Sequence, residues 1–81
     1  MKMAKMSKAE IAVKFAELSD LAERQNRSIK DKRYLPMSQI RHGKLQEFGL
    51  YDYTTKKYTL GSIHSGKAQT ILKEMSQMLE N

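Results

Sequence analysis

The sequence predicts a small single α+β domain built from two main amphipathic helices, a short middle helix and a two-stranded β-hairpin. Three observations carry that expectation. Apolar residues recur at helical spacing near both ends of the chain, strand-forming runs flank a polar tetrapeptide between them, and 81 residues leave room for one domain. A domain of this length has a modest core, so self-association is one way for it to bury more surface. Residues 1–6 read as a flexible N-terminal segment and residues 7–81 as the folded, basic domain.

The first helix opens on a capping box, Ser7 followed three residues later by Glu10. Met6 and Ile11 are spaced to form the accompanying hydrophobic staple. Ile11, Phe15, Leu18 and Ala22 then recur on one face, flanked by Ala12 and Leu21, while Lys14, Glu17, Asp20 and Glu23 take the other. The predicted span is residues 8–25, with Asn26 as the stop.

Residues 27–36 are polar and basic and end in Tyr34-Leu35-Pro36. Proline disfavours helix at Leu35, which places the next element at or after Pro36. Met37, Ile40, Leu45 and Phe48 fit a helical stripe, with Gly43 as a weak point and Gly49 as a terminator. A short strand through residues 37–41 is the competing reading, so residues 37–48 stay open between helix and strand.

Leu50-Tyr51-Asp52-Tyr53 and Tyr58-Thr59-Leu60 are rich in strand formers and flank Thr54-Thr55-Lys56-Lys57. A turn centred on Thr55-Lys56 sets Tyr53 opposite Tyr58 and Tyr51 opposite Leu60. One face of the hairpin then holds three tyrosines and a leucine, the other Asp52 and Thr59. Such an aromatic face stacks on exposed bases in single-strand binders, but more often packs beneath helices, which is the expectation here. Gly61 and Gly66 bracket a turn containing His64. The last helix runs from about residue 67 to 79 with Ser65 as its cap. Ala68, Ile71, Leu72, Met75, Met78 and Leu79 form its apolar stripe, destined for the core or a homodimer seam.

The net charge is +6, and its location is informative. Residues 1–23 and residues 45–81 each carry four Lys against four acids. The whole excess lies in residues 24–44, where Arg24, Arg27, Lys30, Lys32, Arg33, Arg41 and Lys44 face only Asp31. A neutral body with one basic strip is the electrostatic footprint of a polyanionic partner. A solvated basic loop without a partner is the plainer alternative.

Catalytic ingredients are thin. The chain has no cysteine, which excludes disulfides, thiolate metal sites and thiol redox chemistry and suits a reducing, cytoplasmic setting. His42 and His64 lack metal-ligand spacing and read as surface residues, so no metal or cofactor is expected. Residues 61–68, Gly-Ser-Ile-His-Ser-Gly-Lys-Ala, have the glycines and lysine of a phosphate-binding loop, but Ala68 stands where a magnesium-binding Ser or Thr belongs. The expectation is a non-enzyme. No apolar run approaches a membrane span or a signal peptide.

Residues 45–61, Leu-Gln-Glu-Phe-Gly-Leu-Tyr-Asp-Tyr-Thr-Thr-Lys-Lys-Tyr-Thr-Leu-Gly, resemble part of the winged-helix DNA-binding regulators. In that family a recognition helix ends in a Leu-x-x-x-Gly-Leu-type turn and is followed by a hairpin wing finishing Tyr-x-Leu-Gly. The resemblance implies Arg41, His42 and Lys44 on the recognition element in the major groove, and Lys56 and Lys57 at the wing tip. The resulting expectation is a small nucleic-acid-binding protein, DNA before RNA, in transcription regulation or an accessory role. Its competitor is a protein inhibitor or adaptor of the mobile-element kind, whose basic strip docks on an acidic surface of a host enzyme or complex.

Overall fold

In the computed structural model, which describes residues 6–80, the chain runs α1 (Lys8–Arg27), β1 (Tyr34–Arg41), β2 (Lys44–Asp52), β3 (Lys57–Ser62) and α2 (Ala68–Glu80). The three strands form one antiparallel sheet in the order β1-β2-β3. The two helices pack against each other and against one face of it. The α+β class therefore holds, with a sheet of three strands rather than a two-stranded hairpin. Residues 1–5, most of the segment expected to be flexible, lie outside the described residues. Met6 is anchored, its amide donating to Gln69 Oε1 at 2.8 Å.

The helices follow the sequence pattern closely. Ser7 caps α1, its hydroxyl accepting from the Glu10 amide at 3.2 Å while the Glu10 carboxylate accepts from the Ser7 amide at 3.1 Å. The Ser7 backbone amide, helped by the Ser7 side chain, holds the Glu10 carboxyl below its ordinary pKa, because donors to the carboxylate favour its charged form. Ile11, Phe15, Leu18 and Ala22 are all buried, as are Ala68, Ile71, Leu72, Met75 and Leu79 of α2. Met78, the remaining residue of the α2 stripe, is partly buried against this core. Asn26 does not stop α1, which continues to Arg27. Its side chain instead clamps the connection that follows: Oδ1 accepts from the Arg33 and Tyr34 amides at 3.0 and 2.9 Å, and Nδ2 donates to the Tyr34 carbonyl at 3.0 Å.

The middle helix is corrected. Residues 37–48 form most of β1, a turn and the first half of β2, so no helix precedes the second hairpin as the winged-helix resemblance implies. The reason is the dipeptide His42-Gly43. Both residues take positive φ, 52° and 72°, and join Arg41 to its partner Lys44 in a two-residue hairpin loop. Met37, Ile40, Leu45 and Phe48, spaced loosely enough for a helix, are distributed over the two strands. The element begins at Tyr34, ahead of Pro36. Proline is tolerated because β1 lies at the sheet edge, where a missing N–H need not break the ladder. Gly49 terminates nothing. It sits inside β2, where a Cβ would collide with the backbone carbonyl of Thr59 on β3.

The hairpin register is also corrected, by two residues: Tyr51 pairs with Tyr58 and Gly49 with Leu60. A slip of two preserves which residues share a face. The face beneath the helices, however, is the other one. Phe48 and Leu50 point into the core with Tyr34 of β1, and Phe48 meets Phe15 of α1 with ring centroids 5.5 Å apart. Gly61 completes this face by leaving room for Ile71 of α2. The tyrosine face expected in the core is the side of the sheet that neither helix covers. Tyr58, Leu60 and Tyr53 are 68%, 48% and 46% exposed.

Candidate nucleic-acid interface

Strand β1 divides the basic strip. It has eight residues, so its ends lie about 23 Å apart at the usual rise of an extended chain. Arg24 and Arg27 close α1, and Lys30 and Lys32 follow in the connection to β1; all four are exposed. Arg41, His42 and Lys44 surround the β1–β2 turn at the opposite end and are equally exposed. The segment that is continuous in sequence is therefore two clusters in space.

The first cluster gains Lys56 and Lys57. Tyr34 pairs with Asp52 and Asp52 with Lys57, which puts the β2–β3 turn beside the α1–β1 connection. A hydrogen bond from the Tyr53 amide to the Arg33 carbonyl, 2.7 Å, ties the two loops together. Lys56 adopts a positive φ of 57° at the end of that turn. Separation in sequence concealed this neighbourhood.

Arg33 differs from the other cations. Its guanidinium makes two bonds to the carboxylate of buried Asp52, both 3.3 Å, and lies 5.0 Å from the centroid of the Tyr34 ring. The pairing with Asp52 raises the Arg33 pKa further. Burial alone would raise the Asp52 carboxyl. The Arg33 guanidinium and the Thr54 and Thr55 amides outweigh it and hold Asp52 below the ordinary range. Arg33 is thus occupied in holding the two loops. Arg24 is drawn to Asp20 at 3.2 Å in an exposed pair that solvent screens.

At the other end, Lys44 shares a groove of about 490 Å³ with Lys8 of α1 and His64 of the β3–α2 connection. His64 Nε2 lies 2.9 Å from Gln46 Oε1, and the His64 neighbour Ile63 donates its amide to the Gln46 carbonyl at 2.8 Å. Gln46 is the extra residue of a bulge in β2, between the pairs Gln39–Glu47 and Ile40–Leu45. Lys8 and His64 join this end only through the fold, and no local pattern marks them. Within residues 61–68, Gly61 is covered by Ile71 of α2 instead of facing a ligand. Among the described residues no three His, Cys, Asp or Glu side chains gather at a metal-binding distance.

Between the two clusters lies the uncovered face of the sheet. By strand alternation it carries Leu35 and Met37 of β1, Tyr51 of β2, and Tyr58 and Leu60 of β3. Tyr53 stands at its edge, its ring perpendicular to that of Tyr51 with centroids 4.9 Å apart. Glu47 is the carboxylate of this face. With the Gln39 amide oriented to satisfy both neighbours, Gln39 donates to Glu47 at 3.2 Å and accepts from Arg41 at 3.3 Å. No helix of the described residues is long and apolar enough to cross a membrane. Comparison with protein-family models, curated proteins and solved structures finds no match.

Proposed function

We propose that this protein is a non-catalytic nucleic-acid-binding module that serves a regulatory or accessory role. The observation that carries the reading is the placement of the cations. All the excess charge of the chain lies in residues 24–44, and the fold sends it to both ends of one sheet, with Lys56 and Lys57 added at one end and Lys8 at the other. A polyanion lying along the sheet meets positive charge at each end and releases counterions as it binds. The binding surface in this reading is the sheet and its loops. Arg27, Lys30, Lys32, Lys56 and Lys57 form one contact region and Arg41, His42 and Lys44 the other. Arg33 orders the first region through Asp52.

The second reading is an adaptor or inhibitor that docks on an acidic protein surface. It draws on the same cations and on the exposure of Tyr58 and Leu60, which suits a protein contact as well as a base. Titration of labelled duplex DNA, single-stranded DNA and RNA across a salt series separates the two. The nucleic-acid reading expects binding that weakens linearly in log–log form as salt rises. Absence of measurable binding to all three at low salt overturns it.

A further inference from the structure

We propose that the uncovered face of the sheet is a base-stacking platform for a single-stranded nucleic acid. The inference rests on the nucleic-acid reading above and specifies the form of the ligand. Tyr51 and Tyr58 are directly cross-strand and form the centre of the platform. Tyr53, in the turn that follows β2, stands edge-to-face with Tyr51, and Leu60 and Met37 lie on either side of Gly49.

Three arguments choose the occupant. Exposed aromatic rings offer flat faces, and the matching flat faces of nucleobases are free only when the strand is unpaired. In a duplex they are stacked on one another, and the grooves present edges instead. The charges are complementary, since Arg41 and Lys44 at one end and Lys32 and Lys56 at the other can hold the sugar-phosphate backbone of a strand whose bases lie on the tyrosines. A second copy of this chain fits poorly. Both ends of the face are basic, so a two-fold face-to-face pairing sets like charges against each other in either orientation. Glu47, the carboxylate on the face, sits near the Arg41 end and is engaged by Gln39.

The chain has no tryptophan and four tyrosines, of which Tyr34 is buried, so tyrosine fluorescence reports mainly on this face. The test titrates a mixed-sequence DNA strand of about 12 nucleotides, a length within the site size of single-strand-binding folds, and its duplex into the wild-type protein. Variants Tyr58→Ala and Tyr58→Phe are compared, with circular-dichroism melting to verify their folding. The proposal expects tighter binding of the single strand with quenched tyrosine emission. Tyr58→Ala should lose roughly 5- to 150-fold in affinity, the range of one base–aromatic stack, while Tyr58→Phe keeps most of it.

Preference for the duplex, or single-strand binding unchanged in a folded Tyr58→Ala variant, overturns the platform. If binding survives Tyr58→Ala but falls on reversing Lys30 and Lys32, the platform is wrong and the nucleic-acid reading stands. Absence of binding to either DNA form and to RNA overturns both, and leaves the face to a protein partner.

Discussion

Asp52 shows how one side chain organises the basic loops. It is 2% exposed, accepts from Arg33 on one side, and accepts from the Thr54 amide at 2.9 Å on the other. Asp52→Asn keeps the shape but removes the charge that these donors address, and is expected to cost about 1–3 kcal/mol. Its titration has a definite sign. The folded pKa lies below the unfolded one, so the stabilisation is complete above an unfolded pKa of about 3.9 and is lost as pH falls through the folded value. Urea midpoints measured from pH 7 downward should show a steeper acid decline in the wild type than in Asp52→Asn. Parallel declines would mean that the carboxylate contributes nothing to stability. Asn26 acts on the same connection through three hydrogen bonds to backbone. Asn26→Ala is expected to lower stability by about 1–3 kcal/mol, because partly buried amides lose their acceptor.

At the scale of elements, the helices were legible from sequence and the sheet was legible only in part. The capping box and the two apolar stripes are local signals at a fixed period, and tertiary packing reinforced them. Residues 37–48 carry no such period, and their four large apolar residues satisfy a loose helix as readily as two strands. The deciding signal was present in His42-Gly43, a pair suited to a tight turn, but Gly43 alone reads as a flaw in a helix. The tyrosine face illustrates a different limit. Strand alternation correctly groups Tyr51, Tyr53, Tyr58 and Leu60, yet it does not say which face the helices cover. Phe48 and Leu50 take the core, and polar Asp52 follows them in phase because Arg33 neutralises it.

Two predictions belong to this scale. Ile71→Ala or Leu72→Ala should cost about 2–5 kcal/mol by urea unfolding, since both side chains are buried against the sheet and α1. Wild-type stability in either variant would contradict the packing of α2. Gly43→Val should cost about 1–2 kcal/mol because a branched residue resists the left-handed backbone at φ 72°, whereas Gly43→Asn should cost less. Equal losses would contradict the turn.

For the whole molecule, the fold turns a continuous basic segment into two clusters separated by an aromatic surface. The charges themselves were readable in sequence; their separation, and the recruitment of Lys56, Lys57 and Lys8, required β1 and its partners. The most direct measurement compares two double charge reversals for their effect on the salt dependence of oligonucleotide binding. Lys30→Glu with Lys32→Glu changes the first cluster, and Lys14→Glu with Lys73→Glu changes net charge equally at exposed helical positions outside both clusters. Neither pair should greatly alter folding, because exposed charges contribute about 0–1 kcal/mol each. The account expects the first pair to weaken binding strongly. Each lost phosphate contact should flatten the log–log salt slope by about 0.7 on a single strand or about 0.9 on duplex DNA. The second pair should leave the slope nearly unchanged. Equal losses of affinity and slope from the two pairs would show that total charge alone drives binding, and would contradict a site built on these clusters.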